Sequence, residues 1–409
     1  KKKRFDLHPI VRRYAYDRLA APDRTAAHTR LRDYFAAVPQ PDKVTCLEDL
    51  GPVIELYHHT VRAARFDEAF ELMADRFADV IFYRLGAYQT YADLLGALFP
   101  DGEDCPPRLK KRADQAWAMN SLANCYSKIG QPRRALPLRV LSVRLDEDEN
   151  DERNLVVGLV NLAAAHRIVG ALRAAETNLH RSVSLRCQIR QGIKAKYSQD
   201  ERFWSFSSRL GEPGRHDAIL HEELGQLLAY RGAYRESEIE FDAALNIKDW
   251  SESPYGLGVN SFHRTQRELL LLRSITQSEA RASQSATVVA RRALELADED
   301  AHTDSFVERD YVRAHWVLGA AHRVAGQHDK AERHLHEALQ RCRRINDVEH
   351  EADILIDLAR LRGATGSPEE AQRLVEEALL ITERSGYVLQ GADAHLELAK
   401  LDQPLSLFG

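Results

Sequence analysis

Apolar residues recur along this chain at three- and four-residue intervals, the spacing of one helical face, and the few glycines and prolines fall between apolar stretches. That pattern predicts helices joined by short turns. One composite mark stands out. A Leu and a following small residue are succeeded eight positions after the Leu by Gly, then five positions later by another small residue. The copies are Leu122-Ala123/Gly130/Ala135, Leu162-Ala163/Gly170/Ala175, Leu224-Gly225/Gly232/Ser237, Leu318-Gly319/Gly326/Ala331 and Leu358-Ala359/Gly366/Ala371. A degenerate copy, Leu56-Tyr57/Ala64/Ala69, precedes them.

The spacing has a physical reading. The small residue after Leu lets two helices approach closely, and the Gly supplies the left-handed backbone that ends the first helix. The second small residue receives the first helix at the crossing. A Leu, Phe or Val four positions on (Leu179, Phe241, Leu335, Val375) completes the seam. The marker glycines are separated by 40, 62, 94 and 40 residues. The long step hides an atypical hairpin, with helices expected near Val259–Thr276 and Gln284–Ala297, and the 62-residue step carries an insertion near Gln191–Arg215.

These marks resemble those of tetratricopeptide repeat proteins, in the long-helix form, over about residues 115–400. The resemblance implies an all-α, right-handed superhelical solenoid of about six to eight hairpins, whose curved face binds a partner. Residues 41–114 read as a helical linker or as degenerate hairpins, with a helix at Gly86–Phe99 and a break at Pro100–Pro107.

The first 40 residues hold ten Lys/Arg against four Asp. An extended piece, Arg4–Leu7, runs into a helix opening at Pro9, and a second helix opens after Pro22-Asp23. The string Leu7-His8-Pro9-Ile10-Val11-Arg12 resembles the end of the winged-helix subdomain in signal-transducing ATPases with numerous domains, the nucleotide switches of NB-ARC and NACHT type. In that family a His at the position of His8 touches the β-phosphate of ADP. The family's phosphate loop and magnesium-binding strand do not occur here, so the resemblance implies an upstream nucleotide-binding module, ATP/ADP as that module's cofactor and oligomerisation on activation. The chain itself would hold no cofactor. The other reading is a stand-alone scaffold or peptide receptor whose first helices are a cap.

In the repeat family the first helix of each hairpin lines the groove. This points to Asn120, Asn124 and Lys128, Asn161 and Arg167, Glu222 and Gln226, Arg313, Trp316 and Arg323, and Arg360 as ligand contacts. Asn can bracket a peptide backbone, and Arg can fork onto a carboxylate. Asn120, Asn124 and Asn161 resemble part of the carboxylate clamp of peptide-binding members. Tyr197, Phe203, Trp204 and Phe206 in the insertion interleave with cations and form a second candidate contact. A protein or peptide is the expected ligand, with a small molecule as a second class.

Composition narrows the rest. With 44% hydrophobic and 29% charged residues a folded core is expected. The net charge of −5 disfavours nucleic acid. The five cysteines (Cys46, Cys105, Cys125, Cys187, Cys342) lie at no metal or redox spacing, which suits a reducing cytoplasm. No run is apolar enough for a membrane span. Neither a Gly-x-Ser-x-Gly elbow nor a His-Glu-x-x-His string occurs, so no enzymatic role or metal is expected in this chain.

Overall fold

In the computed structural model, residues 8–39, 43–197, 215–247, 269–277, 283–299, 301 and 307–401 are described. They are helical, with no strand among them. Helices α1 (Pro9–Arg18) and α2 (Ala21–Ala36) come first. A 3-10 turn (Leu47–Leu50) leads to α3 (Gly51–Arg62) and α4 (Phe66–Arg76), and a π-helical turn (Val80–Arg84) leads to α5 (Tyr88–Gly96). The array proper begins with the hairpins α6 (Arg112–Lys128)/α7 (Pro132–Asp148) and α8 (Glu152–Ile168)/α9 (Leu172–Tyr197). It continues with α10 (Arg215–Tyr230)/α11 (Tyr234–Leu245), then α12 (269–277)/α13 (Ser283–Glu299). It ends with α14 (Glu308–Val324)/α15 (His328–Arg344), α16 (Val348–Ala364)/α17 (Pro368–Ser385) and α18 (Val388–Leu401).

The 40-residue step follows from helix length. Helices α6, α7, α8, α14, α15 and α16 are each 17 residues long. Each spans roughly 25 Å. All five marker glycines sit at positive φ, from +72° at Gly326 to +84° at Gly366. The degenerate copy obeys the same geometry without Gly, because Ala64 closes α3 at φ +59°. A left-handed alanine costs about 1–2 kcal/mol. Ala64→Gly is therefore expected to stabilise the chain by about 0.5–1 kcal/mol, after subtracting the entropy Gly adds to the unfolded state. An unchanged or lowered urea midpoint would contradict this.

The seam residues are buried as expected: Leu179, Phe241, Leu335 and Val375 are at most 1% exposed. Of the atypical hairpin, Ser283–Glu299 matches the second expected helix, and only 269–277 of the first is described. The insertion aromatics Phe203, Trp204 and Phe206, and the piece Arg4–Leu7, lie outside the described residues. Tyr197 is the last residue of α9.

The solenoid does not stay open. Its early turns meet its last hairpins. Tyr387, fully buried before α18, donates its hydroxyl to the Ser127 carbonyl at 2.5 Å. A side chain at Gly130 would meet Val348 at 3.0 Å, and one at Gly170 would meet Val388 at 2.8 Å. The helices before the array share in this closure. One apolar core runs from Leu50 through Leu138 and continues into Leu335, Ile345 and Leu358. Gly86 packs against Ile345, 3.0 Å from where its β-carbon would stand. At the N-terminus, Tyr16 and His28 are bonded at 2.9 Å and His28 and His59 at 3.0 Å, tying α1, α2 and α3 together.

Candidate functional site

Because the array closes, the inner helices of its hairpins face one another across a central chamber of about 390 Å³. Its wall takes residues from α6, α8, α10, α12, α14, α16 and α18, Arg139 from α7, and Phe82 and Tyr83 from the π-helical turn. Of the residues expected to line a groove, Asn124, Lys128, Asn161, Arg167, Glu222, Gln226, Trp316, Arg323 and Arg360 line this chamber.

Most of the chamber's cations are held within the wall. Lys128 pairs with Glu349, so α6 is bonded to α16. Arg167 meets Glu223 at 3.2 Å, joining α8 to α10. Asp357 accepts from Trp316 Nε1 at 2.8 Å and from Arg323 at 3.0 Å. Arg360 bonds Asp393 at 2.6 Å and Glu397 at 3.0 Å. The Lys128–Glu349 pair joins opposite ends of the array, and the others bridge successive inner helices. Asp353 also lines the chamber, and burial followed by the neighbouring Asp393 carboxylate raises its pKa well above the ordinary range.

Two expectations change. Arg313 does not line the chamber. It is completely buried and bonds Asp310 at 2.8 Å. Its neighbour Val312 belongs to the apolar core that also holds Tyr88 from the helices preceding the array. Asn120 is likewise outside the lining, and its carboxamide oxygen accepts from Arg139. Asn124 accepts from the same guanidinium at 2.7 Å. These two asparagines therefore hold an arginine where a peptide backbone was expected.

Arg139 is a chamber residue that the repeat marks did not single out. It lies four positions after Ala135, where other copies carry Leu179, Phe241, Leu335 and Val375. A cation at an apolar seam position was the available signal.

His8 is exposed, and its Nδ1 accepts from the Ile10 N–H at 3.3 Å, capping α1. Asp347, Glu349 and His350 bring three potential ligand atoms within 4.8 Å of one another. Their carboxylates already face cations: Arg309 reaches Asp347 at 3.6 Å and Glu349 at 3.4 Å, and Lys128 pairs with Glu349. The cluster reads as a clasp between the ends of the array. No helix among the described residues is long and apolar enough to cross a membrane.

A histidine pair marks the seam between α14 and α15. His315 and His334 stand with their Nδ1 atoms 2.9 Å apart, and His322 stacks on His334. Burial, then the neighbouring His315 and His322, pushes His334 down to about 4. The unfolded chain therefore binds more protons here below pH ~6.5, and stability falls as pH drops from there toward 4. Across that window the wild type is expected to lose stability relative to His334→Gln. Parallel urea-midpoint curves for the two proteins would refute this.

Comparison with known proteins agrees with the geometry. The tetratricopeptide repeat family model matches residues 310–384. No curated protein sequence matches. Among solved structures, the chain is similar to a signal transduction ATPase with numerous domains that carries a tetratricopeptide repeat sensor, from Pyrococcus horikoshii. Identity is 14% and the TM-score 0.43, covering 97% of this chain and 54% of that one. This chain thus spans about half the length of that protein. It is also similar to a Rap protein complexed with competence and sporulation factor, at 11% identity and TM-score 0.47, covering 93% and 97% of the two chains. A third is YrrB, a tetratricopeptide repeat protein with an unusual peptide-binding site, at 15% identity and TM-score 0.28, covering 61% and 97%. Residues 310–384 thus match the tetratricopeptide repeat family, and the hairpins before them in this all-α array repeat the same left-handed glycine turns.

Proposed function

We propose that the chain is a sensor that captures a peptide or a segment of a partner protein in its central chamber. The observation that carries this reading is the convergence of the inner helices on one polar cavity of about 390 Å³. Such a cavity suits a short extended segment better than a large globular surface. Ligand in the chamber would touch hairpins from both ends of the array, so binding would favour the closed ring over an opened one.

The finer proposal is that this sensor governs a nucleotide-switch module joined to its N-terminus. The resemblance around His8 supports it. So do the apolar residues that α1 and α2 leave exposed: Ile10 is 73% and Tyr34 62% exposed. On this reading His8 reaches the β-phosphate of ADP held by the upstream module, ligand capture in the closed ring releases that module from its ADP-bound state, and the active form oligomerises. Transcription control or antiviral defence would be the output.

Both levels are testable. Asn161 lines the chamber and is half-buried, so Asn161→Trp should plug it without breaking an ion pair. From a synthetic peptide library, sequences enriched at least ~10-fold by the wild type should be lost to the plugged variant, a difference of about 1.4 kcal/mol or more. Equal enrichment removes the chamber as the site. In a longer protein that carries the nucleotide module, His8→Ala should loosen bound ADP. Unchanged ADP retention rules out that role.

A further inference from the structure

We infer that Arg139 is the anion-reading group of the chamber, and that the captured ligand presents a carboxylate or phosphate oxyanion to it. This rests on the chamber being the ligand site and specifies what that site reads.

Arg139 is out of place by the rule of its own repeat. Its position in four other copies holds an apolar seam residue, and Arg139 is itself buried, 5% exposed. Removing a guanidinium from water costs several kcal/mol unless an opposite charge compensates. Buried charges are accordingly found paired. Lys128, Arg167, Arg309, Arg323 and Arg360 follow that rule, since each faces a carboxylate of the wall.

Arg139 does not follow it. Among the described residues its bonding partners are the carboxamide oxygens of Asn120 and Asn124, which orient a guanidinium but carry no charge. Glu223 is the carboxylate whose field reaches it, and Glu223 is bonded to Arg167. Burial lowers the Arg139 pKa to about 10, consistent with a charge that its surroundings leave under-compensated.

Asn120 and Asn124 use two of the five N–H groups. The side chain lines the chamber, so a ligand oxyanion can take further donors there. In that low-dielectric wall a charge-assisted bond is stronger than in water. The two asparagines, one turn apart on α6, therefore hold the arginine in a fixed pose for the ligand. This differs from a clamp in which the asparagines themselves grip the ligand.

Phenylglyoxal modification of the intact chain, mapped by peptide mass spectrometry, tests the inference without a substitution. At equal ionic strength, 50 mM sodium phosphate or sodium acetate replaces sodium chloride. Arg139 should be protected at least ~5-fold relative to exposed Arg153 by phosphate, by acetate or by both. Protection by phosphate alone identifies a phosphate-bearing ligand, and protection by acetate alone a carboxylate. No protection by either, or equal protection of Arg139 and Arg153, overturns the inference. In a second measurement, anion-dependent thermal stabilisation should be present in the wild type and absent in Arg139→Gln. An equal rise in both proteins also overturns it. Loss of peptide capture in Asn161→Trp together with an unprotected Arg139 would sink this inference alone. Protected Arg139 with peptide capture indifferent to Asn161→Trp would sink the capture reading instead.

Discussion

Glu349→Gln destabilises the chain by about 3–5 kcal/mol, because it strands Lys128 in a buried site without the carboxylate that pairs with it. The two side chains are 12% and 15% exposed, so water cannot replace the lost partner. Arg309, which reaches Glu349 at 3.4 Å, loses that carboxylate at the same time. Replacing both residues, as Lys128→Met/Glu349→Leu, should recover most of the loss, since an apolar pair of similar volume avoids both desolvation terms. The Lys128, Arg309 and His350 charges depress the Glu349 pKa below the ordinary glutamate value of 4.5. Its stabilising effect is therefore full above that pH and is lost as pH falls below it. The gap between wild type and Glu349→Gln should close on acidification. Urea denaturation at pH 7 and pH 3 reads both effects. A variant within 1 kcal/mol of wild type at pH 7 would show that the clasp does not hold the ring.

Gly319→Val is expected to cost about 3 kcal/mol, the upper end for forcing extra carbons into a packed core. A β-carbon at Gly319 would stand 2.5 Å from Leu335 Cγ and 3.1 Å from the Leu335 backbone nitrogen. A side chain can turn away, but the backbone of α15 moves only if the hairpin opens. Leu335 is completely buried. Gly225→Ala is the control. Its β-carbon would first meet the Phe241 ring, at 3.2 Å, and alanine regains up to about 1 kcal/mol of helix propensity. The control should stay within about 1 kcal/mol of wild type. Similar urea midpoints for Gly319→Val and Gly225→Ala would mean that the crossing at α14 and α15 is no tighter than that at α10 and α11.

These two glycines show which part of the architecture a sequence can carry. The Leu–Gly–small marks work over about 13 residues, where helix period and turn geometry fix the outcome. The hairpins were therefore readable, down to Ala64 standing in for a glycine at φ +59°. The ring was not. Ser127 and Tyr387 are 260 positions apart, and nothing in either local pattern announces their contact. The same blindness explains Arg313. Its place on an inner helix suggested the chamber, but it is buried beside Asp310, next to Val312 of a core shared with Tyr88, more than 200 positions away in sequence. Arg139 was legible in principle, as the one cation at a seam position otherwise held by Leu179, Phe241, Leu335 and Val375. What the sequence could not show is that Asn120 and Asn124 would be the residues to receive it.

The meeting of Tyr387 with Ser127 also bears on how the molecule comes apart. In an open stack each repeat leans only on its neighbours, so terminal units fray first and total stability is a sum over local couplings. Here the last unit is also a neighbour of the first. Neither end can peel away without breaking bonds at the other. Damage near residue 387 should be felt near residue 127, and the stack should melt more like a hoop than like a ladder.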